Sequence, residues 1–271
     1  MMIVDSQVHL WSFRPEGANP WHRKVPQYTV EELLAEMDDA GIDRAVIVPP
    51  MWMGDDNSQA IAAAQANPDR LAILGRFPLF DPSEASQLAD WNDQPGMLGV
   101  RFTFGKPDEQ ELLTSGKLDW LWSAAEEHGV PVMFMLSGFI SEVPRIAESY
   151  PNLKLTVDHL GFPGQSADDV AFAVLPELID MAKFDNVSVK ATTLPAYSSQ
   201  DYPYPNTHEP LQRVFDAFGP HRLFWGSDLT RLPCTYRQSV THFTEELPWL
   251  KGDDLELVMG RALCDWIGWK Y

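Results

Sequence analysis

A (β/α)8 barrel is the fold class this sequence predicts, on three observations. Eight apolar runs of strand length recur along the 271 residues. Segments with helical spacing separate most of them, and the runs are apolar almost throughout, as strands buried on both faces are. Parallel neighbours need a crossover, which is usually helical, so this alternation builds either a barrel or an open doubly wound sheet. No G-x-G-x-x-G and no Walker lysine follows any run, which weighs against the open sheet. No composition shift or long linker divides the chain, so residues 1–271 read as a single barrel domain.

The strand runs are "IVDSQVHL" (3–10), "RAVIVPP" (44–50), "LAILGRF" (71–77), "LGVRF" (98–102), "PVMFML" (131–136), "LKLTVDHL" (153–160), "NVSVKAT" (186–192) and "RLFWGSD" (222–228). After the first, "TVEELLAEMDDAG" offers Thr29 and Glu32 as a capping box and Gly41 as a stop. "NSQAIAAAQANP" has Asn57 as its N-cap and ends at Pro68. "DWLWSAAEEHG" caps with Asp119 and closes at Gly129. "EVPRIAESYP", "VLPELIDMAKF" and "HEPLQRVFDAFG" continue the pattern, and "DDLELVMGRALCDWIGW" supplies a last helix. The Pro-rich "LPAYSSQDYPYPNTHEP" (194–210) reads as a long loop at the site, with Tyr202 and Tyr204 candidates for a lid or a contact in a homo-oligomer.

Composition narrows the partners. The formal net charge is -19, which opposes nucleic acid and anionic membrane surfaces. An anionic small molecule is also repelled at long range and needs local Arg or Lys to bind. No run reaches the roughly 18 apolar residues of a membrane span, and no leader pattern precedes the first strand, so a cytoplasmic protein is expected. Cys234 and Cys264 have neither disulfide-framework nor metal-ligand spacing.

In a barrel, chemistry gathers at the C-terminal strand ends. Read in order, those ends carry His9, Pro50, Arg76, Arg101, Ser137, Asp158 with His159, Lys190 with Thr192, and Asp228 followed by Arg231. Charged and imidazole groups there are costly to bury without partners, and their convergence on one rim marks a candidate site. Trp11, Trp21 and Trp52 follow strands one and two and suit an apolar wall for a ring. His22, His128 and His208 are expected to be a solvated loop residue, a helix-end cap and a surface residue.

Asp5, Gln7 and His9 alternate along the first strand and share one face. "DSQVHLW", "DHLG" (158–161) and "WGSD" (225–228), in that order, resemble the amidohydrolase superfamily, in its amidohydrolase-2 branch. Within it the chain most resembles the sugar-lactone and 2-pyrone-4,6-dicarboxylate lactonase group. The resemblance runs through "GRALCDWIGW" near the end. It implies a (β/α)8 barrel, a catalytic aspartate at Asp228, a mid-barrel histidine at His159, and substrate binding by Arg101 in "GVR". The family's first strand carries His-x-His where this sequence has Gln7-Val8-His9, so only His9 carries over.

The expected activity is hydrolysis of a lactone or related cyclic ester or amide of an acidic small molecule. Asp228 would take a proton from water, and His9 and His159, with Gln7, would donate to the oxyanion. Arg101, Arg76, Lys190 or Arg231 would hold the substrate's anion, with Trp52 and Trp11 against its ring. Because an amide oxygen is a weak ligand for zinc, hydrolysis without a metal or other cofactor is expected. The alternatives are a metal-dependent hydrolase or decarboxylase, with zinc or manganese on His9, His159 and Asp228, and a barrel that only binds a ligand.

Overall fold

The computed structural model describes residues 1–164 and 166–270. Eight strands, β1 (Val4–Val8), β2 (Arg44–Ile47), β3 (Leu71–Gly75), β4 (Met97–Thr103), β5 (Val132–Met135), β6 (Leu155–Val157), β7 (Val187–Thr192) and β8 (Leu223–Gly226), pair in sequence order. Every neighbouring pair is parallel. All eight apolar runs of the sequence are strands, and helices packed outside them complete the (β/α)8 barrel.

The seam between β8 and β1 is closed by side chains as much as by backbone. The Asp228 N–H donates to the Gln7 carbonyl at 3.0 Å. The Asp5 carboxylate accepts from the N–H groups of Gln7 and Ser227, both at 2.9 Å, and from the Tyr236 hydroxyl at 2.6 Å. Asp5 is fully buried, so these bonds keep it from being an orphaned polar group. It shares a strand face with Gln7 and His9, yet it works as a clasp. Gly226 makes the closure possible, because a Cβ there would lie 2.2 Å from Ser6 Oγ and 2.6 Å from Thr192 Cγ2. Gly260, in the π turn of the last helical segment, likewise lets that segment lie against β1; a Cβ would meet Val4 Cγ2 at 2.7 Å.

Local signals behave mostly as their chemistry dictates. Thr29 and Glu32 form the capping box of the helix Val30–Ala40, which ends at left-handed Gly41. Asn57 precedes the helix Ser58–Ala66, but its side chain makes no cap. It binds the Arg76 backbone instead, donating to the carbonyl at 2.9 Å and accepting from the N–H at 2.8 Å. Between β3 and β4 the chain runs as a 3-10 segment, Pro82–Asp93, started by Asp81 accepting from the Ser83 N–H. The loop aromatics differ from expectation: Tyr204 is buried, and the Tyr202 hydroxyl bonds Thr241 and Glu246 at 2.9 and 3.1 Å. These bonds fasten the Pro-rich loop to the helix Tyr236–Thr244.

β6 and β8 stop short of the polar residues that follow them. His159, Thr193 and Asp228 all adopt left-handed backbone, with φ of 53°, 60° and 52°. Such angles end a strand ladder and are rare for residues with a Cβ, most of all for β-branched threonine. The turns carry His159 and Asp228 into the mouth of the barrel and Thr193 against the Asp228 carboxylate.

Candidate active site

Asp228 is the hub of the site and is fully buried. Its Oδ2 accepts from the Thr193 hydroxyl and from Arg231 Nη1, each at 3.0 Å. Its Oδ1 has no hydrogen-bond donor, although His9 Nε2 lies 3.0 Å away. The other His9 nitrogen, Nδ1, sits 2.6 Å from the Val48 carbonyl. A carbonyl only accepts, so Nδ1 carries the proton. Nε2 therefore faces Oδ1 at 3.0 Å, a separation that a proton or a metal cation bridges. Burial alone would raise the Asp228 pKa, but Arg231, with His9 next, holds it well below the usual carboxylate range.

His159 is buried beside the same carboxylate, with Nε2 3.8 Å from Asp228 Oδ2. Its Nδ1 lies 2.7 Å from the Thr192 hydroxyl, while Nε2 has no partner. The Thr193 proton goes to Asp228, and the Thr192 hydroxyl and Nδ1 share one proton between them. Burial, reinforced by Arg231, lowers the His159 pKa to about 3, and the ring is neutral at ordinary pH.

A second buried cluster lies alongside. Lys190 has no exposed surface, and its Nζ donates to Gln7 Oε1 at 2.6 Å and pairs with Asp158 Oδ1 at 2.7 Å. Asp158 Oδ2 accepts from Arg101 Nε at 2.9 Å. Arg101 continues to the Thr103 hydroxyl, which Arg76 Nη1 approaches at 3.3 Å. Burial alone would raise the Asp158 pKa, yet Lys190 and Arg101 bring it down to about 2. Burial, with Arg101 alongside, lowers the Arg76 pKa to about 10.

The mouth between these groups is lined by Gln7, His9, His159, Asp228, Arg101 and Arg231, under loop residues that include Trp21, His22, Met51 and Trp52. Of the strand-end residues, His9, Pro50, Arg101, His159, Asp228 and Arg231 line this mouth, Ser137, Asp158 and Thr192 do not, and Trp52 stands at the wall. Three others stand back from it: Trp11 is buried against Tyr28 and Trp52, and Arg76 and Lys190 act behind Arg101 and Gln7. His22 departs from its solvated expectation. It is buried, T-shaped against His9 at 4.8 Å, with Nδ1 2.7 Å from the Thr230 hydroxyl. Burial, with His9 next, lowers its pKa to about 3. No spacing rule finds His22 or Thr193, because loop paths bring them in, whereas Thr192 is the strand end that the sequence marked. His128 caps a helix end as expected, while His208 is half-buried, bonded to the Pro203 carbonyl.

A ligand atom from each of His9, His22 and Asp228 lies within 4.8 Å of the other two. With His22 Nδ1 on Thr230, the set is two imidazole nitrogens and the undonated Asp228 Oδ1, a donor chemistry that fits a divalent cation with an open position. His22, not His159, completes this donor cluster; the carboxylate oxygen nearer His159 is already held by Arg231 and Thr193.

Comparison with known proteins follows the same lines. The sequence profile of the amidohydrolase family matches residues 4–263. A 4-sulfomuconolactone hydrolase of Rhizobium radiobacter is 28% identical over 229 residues, covering 81% of this chain and 73% of that one. An L-fucono-1,5-lactonase of Burkholderia ambifaria is 25% identical over 245 residues, covering 83% and 79%. Among solved structures, an amidohydrolase from Burkholderia multivorans with bound zinc shares the fold at a TM-score of 0.84, with 18% identity and 99% of each chain covered.

Proposed function

The chain belongs to the amidohydrolase family of hydrolases, and from that premise we propose that it opens a lactone, or a related cyclic ester or amide, of an acidic small molecule. The observation that carries this reading is Asp228 Oδ1: a buried carboxylate oxygen with no donor, facing a mouth lined by imidazole and guanidinium groups. The lactone-hydrolysing names of its relatives agree with it.

In the reaction, water attacks the carbonyl carbon while Asp228 Oδ1 takes its proton. His159 Nε2–H donates to the carbonyl oxygen as that atom becomes negative. The intermediate collapses by breaking the bond to the ring oxygen. Asp228 returns its proton to that oxygen, and a hydroxy acid leaves. A carboxyl held at low pKa is a weak base but a ready acid, so donation to the carbonyl oxygen matters as much as proton removal. Arg101 and Arg231 hold the substrate's acidic group with planar, multi-pronged donors. The space left between these groups is about 40 Å³.

A second reading rests on the donor set of His9, His22 and Asp228, which would hold zinc or a similar ion in a metal-dependent hydrolase or decarboxylase. Such an ion, when bound, would polarise the carbonyl and acidify its water. One experiment tests both: turnover of acidic and neutral lactones by protein of measured metal content, before and after chelation. Hydrolysis that survives chelation supports the first reading, and hydrolysis lost and restored by metal supports the second. Failure on every lactone would overturn the assignment to lactones.

A further inference from the structure

Resting on the lactone reading, we propose that Gln7 is a catalytic residue whose amide N–H donates to the developing oxyanion, and that Lys190 is the positioning residue that aims it. An ammonium has three protons and no lone pair. The Gln7 atom 2.6 Å from Lys190 Nζ is therefore the oxygen, and the amide cannot turn over without setting N–H against N–H between two buried side chains. The NH2 group is left facing the mouth, which Gln7 lines. Among the described residues, His159 Nε2, at the same mouth, is buried without a hydrogen-bond partner. The Gln7 amide from β1 and the His159 imidazole from the turn after β6 thus face the same space. Preorganised N–H groups of this kind stabilise an oxyanion without reorienting during the reaction.

The arrangement accounts for an amide at position 7. A carboxylate would satisfy Lys190 but offer the oxyanion only acceptors, and an aliphatic side chain would serve neither. Lys190 itself does not line the mouth. Its second bond, to Asp158 at 2.7 Å, fixes it from the side away from Gln7, so the ammonium holds the amide without competing for substrate.

The test compares Gln7→Glu and Lys190→Met with the unmodified protein, on whichever lactone of a mixed panel the unmodified protein opens fastest. Gln7→Glu keeps the acceptor for Lys190 and removes the donor. Its kcat should fall on the order of 10²–10³, with KM and melting temperature little changed. Lys190→Met should lower kcat by a smaller factor, and Gln7→Glu added to it should cost far less than in the unmodified background, because the amide is no longer aimed. A merely structural role would instead move KM and melting temperature together. If Lys190→Met fails to fold, Gln7→Glu alone decides. An active unmodified protein with Gln7→Glu equally active overturns this inference and spares the lactone reading; an unmodified protein inactive on all lactones takes both down.

Discussion

His9 Nε2 and Asp228 Oδ1 stand 3.0 Å apart, at opposite ends of the strand order, with the second His9 nitrogen committed to the Val48 carbonyl. The first and last strands meet chemically at this pair. Asp228→Asn puts a neutral amide there without changing its size. We expect kcat on a lactone to fall about 10²-fold or more while circular dichroism stays native. Near-full turnover by that variant would remove the proposed base.

Arg231→Lys should act on binding. Lysine keeps the charge but loses the planar fork, and it gives up the stacking of Arg231 over Trp21 at 5.3 Å. KM for an acidic lactone should rise about tenfold, worth about 1.4 kcal/mol, with a neutral lactone much less affected. Equal changes for both substrates would mean that Arg231 does not recognise the anion.

Acid should weaken the fold. Burial lowers the pKa of His242 from 6.5 to about 3, and His159 is lowered likewise. The unfolded chain takes up these protons as pH drops through 6.5, whereas the folded chain does so only near 3. Stability from both groups is therefore complete above about 6.5 and declines steadily below it. The melting temperature should fall between pH 7 and pH 4, and His242→Phe should make that fall shallower. An unchanged slope in the variant would count against a buried neutral His242.

On the metal-dependent reading, zinc titrated into chelated protein should raise the melting temperature, and keep raising it with each tenfold excess over Kd. His22→Ala, which removes one of the three candidate donors, should diminish that rise, while His159→Ala should leave it. The reverse pattern, read by calorimetry, would return the third donor to His159.

Gly226→Ala should be among the most damaging single methyl additions in the chain. The new Cβ would press on Ser6 and Thr192 within 2.6 Å, where β8 closes on β1. Overpacking of this sort costs roughly 1–3 kcal/mol, visible as a shifted urea midpoint with an unchanged slope.

The sequence carried the barrel because eight buried strands leave eight apolar runs, and it carried most of the rim because polar residues end those runs. What it hid came from loops. His22 lies in the segment after β1, and nothing in "NPWHRK" distinguishes a ring folded over His9 from one in water. Asp5 shares the strand face of Gln7 and His9, and period two alone cannot tell a seam clasp from a reactive group. Lys190 read as a substrate anchor, but full burial against Asp158 and Gln7 is a tertiary fact. Asn57 had the residue type of an N-cap, and the Arg76 backbone offered it a better pair of bonds.

The left-handed turns at His159, Thr193 and Asp228 have an evolutionary cost built in. Each such backbone in a residue with a Cβ is disfavoured by roughly 1–3 kcal/mol, and all three lie side by side. A selection for heat resistance alone would drift toward glycine or asparagine at these corners and would silence the protein as it hardened it. Durability and reactivity are set against each other at the same three peptide units.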